Sequence, residues 1–262
     1  MTTQEYPIRI KKVATESDMY LDMALAMLEA IQRCRQEKRN CVMIVPVGPT
    51  GQYPVLAELV NRLHISLKHV HFFNMDEYLT APGVCISPED PMSFHKRMET
   101  EFYSRVLPEL AMPVENRHFP EPGREAAYDA LIEELGGVEL CLGGLGINGH
   151  IAFNEPPEPG VEMDAETFAA LGTRQLAVSR ETLAVNAFGY LRGDIRGMPK
   201  YCITIGMKQI LASREVYISL SRDWQHGIFR RVCTEPIQAQ IPATLLRHHP
   251  KVTFYAPEAI LD

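Results

Sequence analysis

The sequence predicts an α/β protein with a doubly wound, mostly parallel sheet and helices on both faces. Three observations carry this. Short, continuous apolar runs, such as CVMIVPV at 41–47 and VELCL at 138–142, read as strands covered on both faces. Between them lie longer segments with apolar residues at helical spacing. The alternation of the two requires right-handed crossovers, which put helices on both sides of one sheet.

In chain order, residues 17–37 are helical by period, and Ser17 or Asp18 can cap their start. The strand at 41–47 leads through GPTGQYP into PVLAELVNRL (54–63), a helix. HVHFFNM (69–75) is the next strand, and residues 92–107 and 124–135 read as helices. VELCLGG (138–144), CITIG (202–206), EVYISL (215–220) and VTFYA (252–256) are the remaining strands. No internal repeat or low-complexity linker divides the 262 residues, so 1–262 reads as a single domain. The segment 154–200 is irregular and too long for a simple loop. It is expected to carry short helices and to form a lid over the site.

Composition removes several function classes. A net charge of −7 and the lack of a long basic run argue against nucleic acid. No apolar stretch approaches the roughly 20 residues that span a bilayer, so no membrane partner is expected. Residues 1–12 carry lysines and an arginine with no apolar segment of the secretory type after them. The six cysteines form no CxxC pair, and several sit in apolar runs, as core thiols of a reducing compartment do. The chain therefore reads as soluble and cytoplasmic.

Ligands of open α/β sheets bind outside the carboxyl ends of strands, and three such ends carry chemistry here. In VGPTGQYP (47–54), Gly48 and Gly51 permit close backbone approach and Thr50 offers a hydroxyl. Free amides at the following helix start attract anions or sugar hydroxyls. The stretch is neither GxGxxG nor a Walker loop, and a plain strand-to-helix turn fits it equally. In FFNMDEYL (72–79), Asp76 and Glu77 follow an apolar run. A partly desolvated carboxylate there is a base of raised pKa; a solvated loop or helix cap is the other reading. In GGLGINGHIAFNEP (143–156), Asn148 and His150 flank Gly149, and Glu155 lies five residues past the histidine. A carboxylate that accepts from one imidazole nitrogen fixes the tautomer and raises basicity at the other. That suits proton transfer to and from a sugar oxygen. His69, His71, His95, His118 and His150 are numerous, but no HExxH or Cys/His cluster occurs, so no metal is expected. A serine nucleophile lacks its GxSxG setting.

Together the three stretches resemble the glucosamine-6-phosphate deaminase (isomerase) family, within a superfamily that also holds the 6-phosphogluconolactonases. FNMDEY (73–78) and GINGHIAFNEP (146–156) carry the resemblance. MPKYCITIGMKQIL (198–211) and IPATLLRHHP (241–250) extend it to roughly residues 40–256. The ending GHIAFNEP separates the chain from the lactonases. The resemblance implies a doubly wound α/β fold, no cofactor, and a sugar-phosphate substrate. It also implies the reaction: the amino-sugar ring opens, a proton moves from C2 to C1, and the imine loses ammonia to give a ketose phosphate. By motif position, Asp76 takes the C2 proton, His150 is the acid/base of ring opening, Glu155 is its charge partner and Asn148 stands beside them. An amide takes no proton, so Asn148 can only orient or donate. Gly48, Thr50, Gly51, Gln52, Glu77, Gly149, Lys200 and Arg222 are the expected substrate-binding residues.

The chain departs from the family pattern at the phosphate. PTGQYP has Gln52 and Tyr53 where the family has Gly and Thr, and Gln52 is expected to intrude where amides cradle the anion. Phe188 in VNAFGY (185–190) stands where the family has arginine, and Trp224 in LSRDWQ (220–225) where it has lysine. Two accounts remain open. Arg222, Arg192 or Arg174 supplies the charge, with Arg222 the best placed; or the same proton-transfer machinery serves a different, non-phosphorylated or substituted sugar, with Phe188 and Trp224 stacking on it. A catalytically silent sugar-binding protein is a third reading. The family holds monomers, dimers and hexamers, so a homo-oligomer is open. PEPGVEMDAETF (157–168) has no serine pair or basic cluster, which predicts no activation by an acetylated amino-sugar phosphate.

Overall fold

The computed structural model describes residues 8–261. The chain starts with β1 (Ile8–Val13) and α1 (Glu16–Gln36). The reading that no secretory-type segment begins the chain rests partly on residues 1–7, which lie outside the described residues; residues 8–12 belong to β1. The cap of α1 is Thr15, not Ser17 or Asp18: its side chain accepts from Asp18 N–H, and the Asp18 carboxylate accepts from Thr15 N–H in return. Met19, Met23, Met27, Ile31 and Cys34 form the buried stripe of α1.

There follow β2 (Cys41–Val45), α2 (Gln52–Arg62), β3 (Val70–Asn74), β4 (Asp76–Ala81), β5 (Val84–Cys85) and α3 (Phe94–Glu101). Then come β6 (Arg117–His118), α4 (Glu125–Glu134), β7 (Leu140–Gly144), α5 (Ala165–Ala169), β8 (Arg174–Ala177) and α6 (Arg180–Tyr190). The last elements are β9 (Tyr201–Thr204), α7 (Met207–Leu211), β10 (Glu215–Ser219), α8 (Gln225–Thr234), β11 (Val252–Pro257) and a final turn of helix.

Seven strands form one sheet in the order β1-β11-β10-β7-β2-β3-β6, and every neighbouring pair is parallel. The apolar runs alternate between its two faces. Met43, Val45, Phe72 and Leu142 join the cluster under α1, α2 and α3. Val42, Ile44, Phe73, Cys141 and Ile218 join the cluster under α4, α5, α7 and α8. A strand buried on both sides needs no polar alternation, which is why these runs are continuous.

One strand differs from expectation. CITIG contributes β9 to a second, antiparallel sheet of order β5-β4-β9-β8, not to the parallel one. Asp76 and Glu77 lie in β4 of that sheet rather than in a loop. The segment 154–200 holds α5, β8 and α6, and β8 ties it to β9. No helix among the described residues is long and apolar enough to cross a membrane.

From β2 the chain moves outward through β3 to β6, then returns to the other side of β2 as β7. The carboxyl ends of β2 and β7 are therefore a topological switch point, where a crevice opens. The two ends nearly touch: a Cβ on Gly144 would stand 2.9 Å from the Gly48 carbonyl oxygen.

Candidate active site

Three strand ends meet at this crevice. β3 passes into β4 through Met75, whose N–H is held by the Val45 carbonyl at 2.9 Å and whose carbonyl accepts from Ile205 at 2.7 Å. This fixes Asp76 at the mouth of the parallel sheet. Its cross-strand partner is Thr204, and the Thr204 hydroxyl oxygen accepts the N–H of Phe153 at 3.0 Å. One threonine thus joins the strand of Asp76 to the loop of His150 and Glu155.

Asp76 is 7% exposed, and no hydrogen-bond donor to its carboxylate stands among the described residues. Burial, then the charge of Glu77, pushes its pKa well above the usual carboxylate range. Such a carboxylate is basic and unoccupied. Burial raises the pKa of Glu77 as well, but Glu77, on the opposite face of the strand, is fully occupied. It accepts from Ser93 Oγ at 2.9 Å, from Phe94 and His95 N–H at 3.0 Å each, and from its own neighbour Tyr78 at 2.8 Å. Glu77 caps the start of α3, which corrects its expected role in substrate binding.

The glycine loop builds a directed chain of hydrogen bonds. Burial opposes ionisation of Glu155, but the His150 charge and hydrogen bonds from His150, Asn148 and Thr182 outweigh it and bring its pKa down to about 2. An ionised carboxylate only accepts. Asn148 therefore turns its amide nitrogen to Glu155 Oε2, at 2.7 Å, and its oxygen to His150 Nδ1, at 2.8 Å. That oxygen makes Nδ1 the protonated nitrogen, with Glu155 Oε2 3.3 Å away as a second acceptor. Nε2 is left as the working nitrogen, and the ring lies over Gly146, where a Cβ would come within 2.1 Å of Nε2. Asn148 thus relays the carboxylate's orientation to the histidine.

Two contributors escaped the sequence reading. Ser179 N–H donates to Glu155 Oε1 at 3.3 Å, and Thr182 Oγ1 lies 3.3 Å from His150 Nδ1. Ser179 is the N-cap of α6; the serine-first capping pattern SRET was the available signal, although it marks a helix start rather than a site.

The β2 turn is only partly as expected. Gly51 is required by packing: a Cβ there would lie 2.3 Å from the Tyr20 ring. Gln52 does not intrude, because its side chain is fully buried and its amide turns back to the Pro49 carbonyl at 3.0 Å. The first amides of α2 carry no side-chain cap, and Thr50 keeps a free hydroxyl among the described residues. Gly48 is in the left-handed half of backbone space, at φ 137°. Gly149 backs onto Ile241, 2.6 Å from where a Cβ would stand, so that face is closed.

The candidate cations separate clearly. Arg174 is bound to Asn154 Oδ1 at 2.7 Å and lies over the Phe168 ring. Arg192 is exposed beyond the end of α6. Lys200 is exposed before β9, about 13 Å along that strand from Thr204, so it is not brought to the site, contrary to expectation. Arg222 is at the carboxyl end of β10. Gln225 Oε1 accepts the N–H groups of Ser221 and Arg222 at 2.6 and 2.8 Å, while its amide donates to Leu145 O at 2.7 Å. The Arg222 turn is thereby pinned to the glycine loop. Its charge also acts on the hydroxyls of Tyr20 and Tyr190, the tyrosines flanking the β2 turn. Phe188 is 82% exposed and Trp224 forms the first residue of the α8 cap. Among the described residues, no three His, Cys, Asp or Glu side chains are grouped to hold a metal ion. His71 and His118 form a stacked pair joined by a hydrogen bond between Nδ1 and Nε2 at 3.2 Å.

Comparison with known proteins gives this geometry its family. A glucosamine-6-phosphate deaminase of Rhodopirellula baltica is 34% identical over 236 residues, 87% of this chain and 86% of that protein. The chain belongs to the glucosamine-6-phosphate deaminase family. A deaminase of that name from Shouchella clausii is 31% identical over 234 residues, 87% of each chain. Glucosamine-6-phosphate deaminase 2 of Homo sapiens is 29% identical over 226 residues, 85% of this chain and 76% of its own. A monomeric glucosamine-6-phosphate deaminase superimposes with a TM-score of 0.82 at 23% identity, over 96% of this chain and 98% of its own. The 6-phosphogluconolactonase of Thermotoga maritima superimposes less well, at 0.69 and 16% identity over 96% of this chain and all of its own, and shares the fold. No family model matches the chain. The deaminase family thus meets the expectation drawn from FNMDEY and GINGHIAFNEP.

Proposed function

We propose that the chain is a deaminating aldose–ketose isomerase that converts glucosamine 6-phosphate to a ketose phosphate and ammonia. The observation that carries this is the pairing of two opposed carboxylates at one switch point. Asp76 is buried, unpaired and basic; Glu155 is held ionised by the Asn148–His150 chain. His150 Nε2 exchanges a proton with the ring oxygen and opens the sugar. Asp76 removes the C2 proton and returns it to C1, and the imine formed loses ammonia on hydrolysis. A base of raised pKa matches the demand of a carbon acid better than an ordinary carboxylate. The uncapped start of α2, with the Gln52 N–H, and Arg222 are the phosphate ligands in this reading. The residues need no cofactor for any step, and the substrate is a small sugar phosphate in a soluble, cytoplasmic setting.

The test is ammonia release from glucosamine 6-phosphate, beside free glucosamine and galactosamine 6-phosphate. Turnover of glucosamine 6-phosphate well above the other two is the expected result. Silence on all three from folded protein would overturn the reading.

A further inference from the structure

The phosphate end of the site has one gap. The resemblance places a cation of α6 at position 188, yet Phe188 is 82% exposed. Two residues further on, about 200° around the helix, Tyr190 points the other way. Its hydroxyl lies 4.0 Å from where a Gly48 Cβ would stand, at the start of the β2 turn. No hydrogen-bond partner for that hydroxyl stands among the described residues. Arg97 of α3 sits with its guanidinium 6.0 Å from the centre of the Tyr190 ring, within the range of cation–π attraction. Tyr190 is 41% exposed; partial burial raises the pKa of its hydroxyl, Arg97 and Arg222 lower it, and Asp76 raises it. Arg97 and Tyr190 also form one wall of a cavity of about 650 Å³, lined further by Thr80, Ile86, Met92 and Met198. Two carboxylates stand near this charge: Asp90, also in the cavity lining, holds Met92 N–H at 2.8 Å, and Glu101 is shared between Arg97 at 3.5 Å and Arg105 at 3.3 Å. An O–H with no protein partner, beside the uncapped start of α2 and near two arginines, is a donor available to an anion.

We propose that Tyr190 is the residue of α6 that contacts the substrate, donating its O–H to a phosphate oxygen beside the Gly48 turn, with Arg97 supplying positive charge behind its ring. The anion-binding role of α6 has moved from position 188 to position 190, with a neutral donor backed by a cation in place of a cation alone. This rests on the reading of the substrate as an amino-sugar phosphate.

Inorganic phosphate is the direct probe, titrated calorimetrically into the full chain at fixed ionic strength. Tyr190→Phe should weaken phosphate binding about fivefold to tenfold, the worth of one hydrogen bond. KM for glucosamine 6-phosphate should rise in parallel, with kcat changed less than about threefold, as for a contact made equally in ground and transition states. Arg97→Met should move both quantities in the same direction, and Phe188→Ala should move neither. Unchanged phosphate affinity in both Tyr190→Phe and Arg97→Met would overturn the assignment, as would a wild-type chain that binds no phosphate. The two readings fail separately. Ammonia release with phosphate affinity untouched by either variant keeps the function and removes the site. Phosphate binding that depends on Tyr190, without ammonia release from any amino-sugar phosphate, keeps the site and removes the function.

Discussion

The substitution Asp76→Asn removes one negative charge from the carboxyl end of β3 and leaves side-chain volume almost unchanged. Activity and stability should then move in opposite directions. An amide cannot accept the C2 proton, so turnover should fall by at least about 10²–10⁴-fold. Stability follows from linkage. Burial raises the Asp76 pKa in the fold above its unfolded value, so the fold binds a proton more readily than the unfolded chain. Stability is then fully present below the ordinary carboxylate value and is lost as pH rises through the raised one. Above the ordinary carboxylate value the wild-type fold therefore carries a cost at a carboxyl that is 7% exposed and has no donor. Relieving an uncompensated buried polar group is worth about 1–3 kcal/mol, and each kcal/mol moves the melting midpoint by roughly 2–4 °C in a chain of this size. Thermal melts at pH 7 should therefore place Asp76→Asn above the wild type, and melts near pH 4, where Asp76 is protonated, should bring the two together. A variant that melts below the wild type at pH 7, or that keeps more than about a tenth of the ammonia release, would refute the reasoning.

Other perturbations separate the remaining roles. Glu155→Gln should destabilise the fold by about 3 kcal/mol at pH 7, the equivalent of a carboxyl brought from 4.5 to about 2. Because that pKa is depressed, the deficit against wild type should shrink as pH falls from 4.5 towards 2, a trend that denaturant titrations across this range would show or exclude. Gly146→Ala should lower kcat with little change in stability, since its Cβ would displace the His150 ring from 2.1 Å; wild-type kcat would show that the ring is free to move. Glu77→Gln should cost about 1–3 kcal/mol in stability and leave KM unaltered, because its carboxylate serves α3; a raised KM with an unchanged melting midpoint would return Glu77 to the substrate. Rate curves should stay hyperbolic with or without an acetylated amino-sugar phosphate, and a sigmoidal curve made hyperbolic by it would reveal an activating site.

The core strands were legible because each is an uninterrupted apolar run, and that pattern follows from burial on both faces. The assignment of CITIG to the same sheet failed for the same reason: a run of apolar residues reports burial, not the sheet that buries it. β1 was missed because only Val13 of its six residues is buried, so it lacks the signal altogether. Asp76, His150 and Glu155 could be singled out as candidates because chemistry-bearing residues at strand ends stand out against apolar runs, and the structure sets His150 and Glu155 side by side. Glu77 was misjudged because its partners, Ser93 to His95, lie 16 to 18 residues away, and sequence shows a carboxylate but not its donors. Gln52 was misjudged likewise: only the packed turn decides whether a side chain faces inward.

By itself, then, the sequence determined the layered α/β class, the strand ends that bear chemistry, and the residue types available for proton transfer. These are local quantities, carried by period, composition and short motifs. The tertiary structure alone decided that β2 and β7 meet at the switch point, that Asp76 is desolvated without a partner, and that Asn148 transmits the charge of Glu155 to one nitrogen of His150. It also decided that Tyr190, not Phe188, faces the β2 turn. Desolvation, hydrogen-bond direction and the facing of a helix depend on neighbours distant in the chain, and only the fold brings those neighbours within a few ångströms.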